Sequence, residues 1–122
     1  MKVACGVMYV DDDRLLMGLR SEHGKHPNYW EFPGGKCEND ETIEECLRRE
    51  WKEELNLTIS IERRIYSWVG EENIECYFYI GKVLDLENIK MNVHQDIIYG
   101  KPEELIKLRL FEGDENILEL LI

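Results

Sequence analysis

Three glutamates, Glu50, Glu53 and Glu54, lie at helical spacing in a segment from Ile43 to Leu55 that contains no Gly or Pro. At about 3.6 residues per turn, the face that starts with Ile43, Cys46 and Leu47 continues into these carboxylates. Acid therefore replaces the second half of an apolar stripe. Like charges one turn apart repel by roughly a few tenths of a kcal/mol on an exposed helix, and by more where water is excluded. A hard divalent cation removes that repulsion, since Mg2+ and Mn2+ take oxygen ligands. The alternative is a solvated acidic face, with Leu47, Trp51 and Leu55 buried beside it. Arg49 is four residues from both Glu45 and Glu53, so its guanidinium can hold a carboxylate by two hydrogen bonds. Its alternative is a surface ion pair of little energetic value.

Local signals frame this helix. Thr42 followed by Glu45 is a capping-box pattern that starts it near Thr42. Asn56 follows its last turn, and Asn is the common substitute for Gly in the left-handed residue that ends a helix. Upstream, Pro33-Gly34-Gly35 reads as a turn whose bare backbone can approach a phosphate or a metal closely. A glycine loop followed by an acidic helix suits a metal site as well as a solvated face.

The whole stretch from Gly35 to Leu57 closely resembles the Nudix box, G-x5-E-x7-R-E-U-x-E-E-x-G-U, where U is a bulky apolar residue. Every defined position fits except Asn56, which stands where the family has glycine. The resemblance implies an enzyme that cuts diphosphate linkages in nucleotides with a divalent metal, Mg2+ or alternatively Mn2+. It implies metal ligation by Glu50, Glu53, Glu54 and the Gly35 carbonyl, and an Arg49 that orients these glutamates. The run from Tyr29 to Lys36 is similar to the W-E-F-P-G-G-K segment of MutT-type nucleoside triphosphate pyrophosphohydrolases. By that likeness Phe32 lines a nucleobase pocket, although a core role fits it equally. Arg20, at matching spacing before this segment, is implied as a phosphate contact, or else is an exposed arginine. Gly113 to Glu119 is similar to A-D-x-P-L-L-E of the CTP pyrophosphohydrolases, making Asp114 a base reader; Asp114 is equally a good helix N-cap. His94-Gln95 and Tyr99 resemble H-Q-x-x-x-W of that subgroup. The subgroup commonly has a glutamate just before the His-Gln pair, where this chain has Val93. His94, Asp96, Glu71 or Glu72 are the candidates to take its place.

The activity implied is release of a nucleoside monophosphate and pyrophosphate from a triphosphate, clearing modified or pyrimidine nucleotides. The alternatives are hydrolysis of another nucleoside diphosphate derivative, such as ADP-ribose or a nucleotide sugar, and nucleotide binding without catalysis. A formal net charge of −11 opposes binding to nucleic-acid polymers, which demands a basic surface. Metal ions would reconcile the charge with a nucleotide substrate.

The elements that must position these residues can be read in outline. The 122 residues suffice for one domain, 1–122, with its own core. Val3 to Val10 and Arg14 to Leu19 read as strands joined by a turn at Asp11-Asp12-Asp13, a triplet that lacks the glycine and distal glutamate of a calcium hand. Residues 21–29 form a polar loop. Leu57 to Val69, Ile74 to Val83 and Gln95 to Tyr99 read as further strands. Helices are expected from Pro102 to Leu108 and, capped by Asp114, through Leu121. The pattern predicts an α/β class with a mixed sheet between helical layers; the resemblance specifies the Nudix fold, an α/β/α sandwich. No apolar run approaches the roughly 20 residues that span a bilayer. The absence of a targeting signal favours the cytoplasm. Cys5, Cys37, Cys46 and Cys76 show no paired motif, and reduced thiols are expected rather than a zinc site or disulfides. Oligomeric state is not readable.

Overall fold

The computed structural model describes all residues, Met1–Ile122. Its sheet is built on β1 (Lys2–Tyr9), which runs parallel to β6 (Glu75–Val83) along its whole length. On its other side β1 pairs antiparallel with β2 (Leu15–Leu19) at one end and with β4 (Gly34–Lys36) at the other. Strand β2 also pairs antiparallel with β3 (Trp30–Glu31) and β7 (Asp96–Gly100), and β5 (Ile59–Val69) lies antiparallel beside β6. The sheet is therefore mixed.

Alternation along the strands divides the core in two. Ala4, Met8, Leu16 and Tyr79 face α1 (Ile43–Leu55), where Cys46, Leu47, Trp51 and Leu55 are fully buried. Val7, Leu15, Met17, Phe78 and Ile80 face the opposite way. That face is covered by Leu105 of α2 (Pro102–Leu105) and by Ile117 and Leu118 of α3 (Asp114–Leu121). The result is the expected α/β/α sandwich. No helix is long and apolar enough to cross a membrane.

Helix α1 begins and ends as its caps dictate. Thr42 Oγ1 accepts from the Glu45 N–H at 3.1 Å, and Glu45 accepts from the Thr42 N–H at 2.9 Å. Asn56 adopts φ 57°, the left-handed terminator. The helix is pinned to the sheet by the buried Trp51 indole, which donates to the Pro33 carbonyl at 2.8 Å. Its last carbonyls, orphaned in any helix, are met by the segment that follows β6. Lys90 N–H reaches Leu55 O at 2.9 Å, Asn92 N–H reaches Glu54 O at 3.0 Å, and the Asn92 amide reaches Glu53 O at 2.9 Å.

Four expectations need correction. Pro33-Gly34-Gly35 is not a free turn: Gly34 and Gly35 are extended in β4, so close to β1 that a Cβ on Gly34 would collide with the Ala4 carbonyl. Cys37 and Cys46 are joined in a disulfide rather than held as thiols, because the chain leaving β4 folds back along α1 and brings their Cα atoms to 5.1 Å. The helix at Pro102 stops at Leu105, not Leu108. Asp114 does not cap the last helix. Gly113 does, at φ 96°, and Asp114 is its first helical residue with its side chain turned elsewhere.

Candidate metal and phosphate site

The three box glutamates do not share one environment. Glu54 is buried, Glu50 is half-buried, and the Glu53 side chain is 60% exposed. Burial, hydrogen bonding with Glu50 and the charge of Glu31 push the Glu54 carboxyl up to about 9. Glu50 stands over Gly35, where any Cβ would occupy the space of its carboxylate. Glycine at 35 thus makes room for the acid on the neighbouring helix.

Arg49 holds the set together. Its guanidinium donates to both oxygens of Glu41 at 2.7 and 2.8 Å, to Glu50 at 2.8 Å, to Glu53 at 3.3 Å and to the Lys36 carbonyl at 3.1 Å. The hydrogen bond from Arg49, then one from the Glu38 N–H, lowers the Glu41 carboxyl to about 2. Glu45, also four residues from Arg49, is engaged instead by the capping box.

A second chain of charges meets the glutamates from the sheet. Arg20, after β2, donates to Glu31 Oε1 at 2.6 Å. It also donates to the Lys25 carbonyl at 2.9 Å, which folds the 21–29 loop back over it, and stacks on Phe111 at 4.6 Å. The other Glu31 oxygen is 2.8 Å from His94 Nε2, and Glu54 Oε1 lies 3.8 Å from the same nitrogen. The His94 ring is buried flat against Gly18, where a Cβ would overlap it. Because the segment holding the end of α1 leads directly to His94, the imidazole is delivered beside Glu54.

These groups enclose a cavity of about 420 Å³, a size usual for small-molecule sites. Glu50, Glu53, Glu54, Glu31 and His94 line it, together with Lys25 and with Arg20, which is paired to Glu31. Gly34, rather than Gly35, forms its glycine wall, and exposed Val93 sits at the edge. Of the residues expected from sequence, Glu50, Glu53, Glu54 and Arg20 are brought together here, and Arg49 stands behind them.

Phe32 and Asp114 are not in this wall. Phe32 is buried in the α3-side core. Asp114 Oδ2 accepts its backbone N–H at 2.9 Å, and burial raises the Asp114 carboxyl well above the usual range despite that bond. The two are therefore neighbours, and the thiol of half-buried Cys5 is raised by desolvation and then by Asp114. Glu71 and Glu72 are exposed in a 3-10 turn and Asp96 is exposed on β7, outside the cavity wall. Glu31 and Lys25 carried no signal of their own in the sequence. Only the W-E-F-P-G-G-K likeness passes through Glu31, and pairing to β2 is what aims it at the glutamates.

The donor set fits a divalent cation. Ligand atoms of Glu31, Glu54 and His94 lie within 4.8 Å of one another, and the buried Glu54 carboxyl is crowded by like charge that a cation would neutralise.

The NUDIX domain model matches residues 1–121. The chain belongs to the Nudix family. It is 28% identical over 110 residues to the CTP pyrophosphohydrolase of Escherichia coli, covering 88% of this chain and 82% of that one. It is 29% identical to the nucleoside triphosphatase NudI of E. coli strain SE11, covering 97% and 94% respectively. Among solved structures, the E. coli ORF135 protein superposes with a TM-score of 0.80 at 27% identity, over 97% of this chain and 85% of that chain. The MutT protein of Methanosarcina mazei Go1 superposes at 0.86 with 20% identity, over 99% and 91%, a likeness of fold. The Nudix box thus lies in the β4–α1 unit of a Nudix fold, and the chain is a Nudix hydrolase acting on pyrophosphate bonds.

Proposed function

We propose that this Nudix protein is a Mg2+-dependent nucleoside triphosphate pyrophosphohydrolase, able to use Mn2+, that releases a nucleoside monophosphate and pyrophosphate. The observation that carries this reading is one cavity lined both by the box carboxylates and by the cationic side chains of Arg20 and Lys25. Carboxylates alone would repel a triphosphate; cationic side chains in the same cavity give its oxygens a partner. The names of the E. coli relatives, a CTP pyrophosphohydrolase and a nucleoside triphosphatase, support the substrate class.

Glu50, Glu53 and Glu54 hold the metal, with a glycine carbonyl of β4 (Gly34 or Gly35) beside them. Bound there, the cation would offset charge on the phosphoryl oxygens and lower the pKa of the attacking water. Arg49 keeps Glu50 and Glu53 in place while Glu41 keeps Arg49 in place. Glu53, the most open of the three, takes the proton from the attacking water. Arg20 contacts phosphate at the cavity wall. Phe32 and Asp114 serve the base-binding side, where Asp114, held by the Phe32 N–H, would read a cytosine-type exocyclic amine. The substrate is a free nucleotide of the cytoplasm, not a polymer.

A nucleotide panel tests this: standard NTPs and dNTPs, 8-oxo-dGTP, modified dCTPs, ADP-ribose and a nucleotide sugar, with products resolved by ion-exchange chromatography. Monophosphate plus pyrophosphate, fastest with a pyrimidine triphosphate, is expected. Cleavage of the diphosphate derivatives alone would overturn the substrate assignment. Tight nucleotide binding without turnover would make the chain a binding module.

A further inference from the structure

The bond between Cys37 and Cys46 has no part in the reaction, yet it lies at the join between the two halves of the box. Cys37 follows directly on β4, which carries Gly35, and Cys46 lies one helical turn before Glu50. The bridged loop also holds Glu41, which fixes Arg49 through both its oxygens. Cys46 is fully buried, whereas Cys37 is half-buried and runs into an exposed turn. The bond is thus open to solvent from the Cys37 end, and accessible disulfides are the regulatory kind. Cys5 and Cys76, which pack towards the opposite face of the sheet, are free.

One contact links the bond to the ion site. Cys46 Sγ lies 3.7 Å from the Gly35 carbonyl oxygen, within hydrogen-bonding range for sulfur. A disulfide sulfur carries no proton, so in the bridged form this oxygen keeps its lone pairs for a cation. A thiol at the same place has an S–H and donates it to the carbonyl. Cleavage also releases the loop that carries Glu41, and loosens the hold on Arg49 and through it on Glu50 and Glu53. Both effects act in one direction, against cation binding.

We propose that Cys37 and Cys46 form a reversible redox modification site for small thiols and disulfides of the glutathione class, whose state sets the affinity of the box for its divalent ion: tight when bridged, weak when reduced. A thiolate attacks Cys37 Sγ and forms a mixed disulfide, and Cys46 leaves as a thiolate that takes up a proton. A second thiolate attacks the small-molecule sulfur of the mixed disulfide and releases Cys37. Two small thiols are oxidised to one disulfide while the protein bridge gains two electrons and two protons; the reverse exchange restores it. The switch rests on the metal-site reading of the box, since its output is ion affinity.

Mn2+ binding tests it without turnover, read from the electron paramagnetic resonance signal of the free ion. Wild type is compared before and after treatment with excess reduced glutathione, which is then removed without air. Iodoacetamide in denaturant should label two cysteines of the untreated protein, Cys5 and Cys76, and all four after treatment. Reduction should weaken Mn2+ binding by roughly 10-fold or more, with far-UV circular dichroism unchanged, and glutathione disulfide should restore it. Cys37→Ser should show the weak affinity in both buffers. Should that variant fail to fold, the interconversion of wild type still decides. Four labels without reductant, two labels after it, or equal Mn2+ affinity of the bridged and reduced forms would each overturn the switch. Equal affinity beside nucleotide turnover would leave the hydrolase reading intact. Redox-dependent Mn2+ binding without turnover of any nucleotide would refute the substrate assignment and leave the switch standing.

Discussion

At the scale of single residues, Arg49 is the hub, and Glu41 is what steadies it. The Glu41 carboxyl lies at about 2 in the folded chain against an ordinary 4.5. A folded-state value below the unfolded one stabilises the fold fully above the unfolded value and ceases to do so as pH falls through the folded one. Wild type should therefore melt above Glu41→Gln at neutral pH, and the gap should close as pH falls from about 4.5 towards 2. Melting curves across that window check it, and a pH-independent gap would contradict it. Asp114 makes a different prediction. Its carboxylate is buried, yet it accepts the Phe32 N–H. Asp114→Asn keeps an acceptor and removes an ionisable group whose charged form burial disfavours, so stability should hold or rise. Asp114→Ala leaves that N–H buried and unpaired, and should lower unfolding free energy by about 1–3 kcal/mol in urea titrations. Equal stability of the two variants would show that the bond is not what holds Asp114.

Among the elements, α1 was legible from end to end because each boundary has its own chemistry: Thr42 with Glu45 at the start, Asn56 at the end. The short strands were not. Trp30–Glu31 and Gly34–Lys36 are too brief to show a period of two, and paired glycines read as a turn unless the partner strand is known. The last helix was placed well and capped wrongly, since only the folded chain shows Gly113 at φ 96° against the Trp68 indole and Asp114 committed to Phe32. The disulfide was unreadable for a similar reason: Cys37 and Cys46 carry no motif, and proximity comes from the fold. It joins the chain after β4 to the helix of the glutamates. Cys37→Ser should lower unfolding free energy by roughly 2–3 kcal/mol in non-reducing buffer, the scale of closing so short a loop. The difference should vanish when both proteins are reduced. Equal stabilities without reductant would show that the bridge does not constrain the unfolded chain.

The whole molecule places chemistry where a sheet, a helix and a loop meet. Strands interspersed with helices were sufficient to predict the layers, and the structure divides the contiguous apolar run between them: Leu15 and Met17 face one helical side, Leu16 the other. The box glutamates were visible as a local pattern. Glu31 and Lys25 were not, and His94 was one candidate among four, because these residues are far apart in the chain and meet only in the fold. Charge shows the same division. The net −11 is a property of the composition, while the gathering of Arg20 and Lys25 into the cavity of the carboxylates is a property of the fold. The claim that this cavity hydrolyses nucleoside triphosphates through its box carboxylates is tested most directly with a pyrimidine triphosphate, Mg2+, and wild type beside Glu54→Gln. The prediction is monophosphate and pyrophosphate from wild type, and at least about 100-fold slower release from a variant that is equally folded, or more stable without metal. Near-normal pyrophosphate release by folded Glu54→Gln would contradict it.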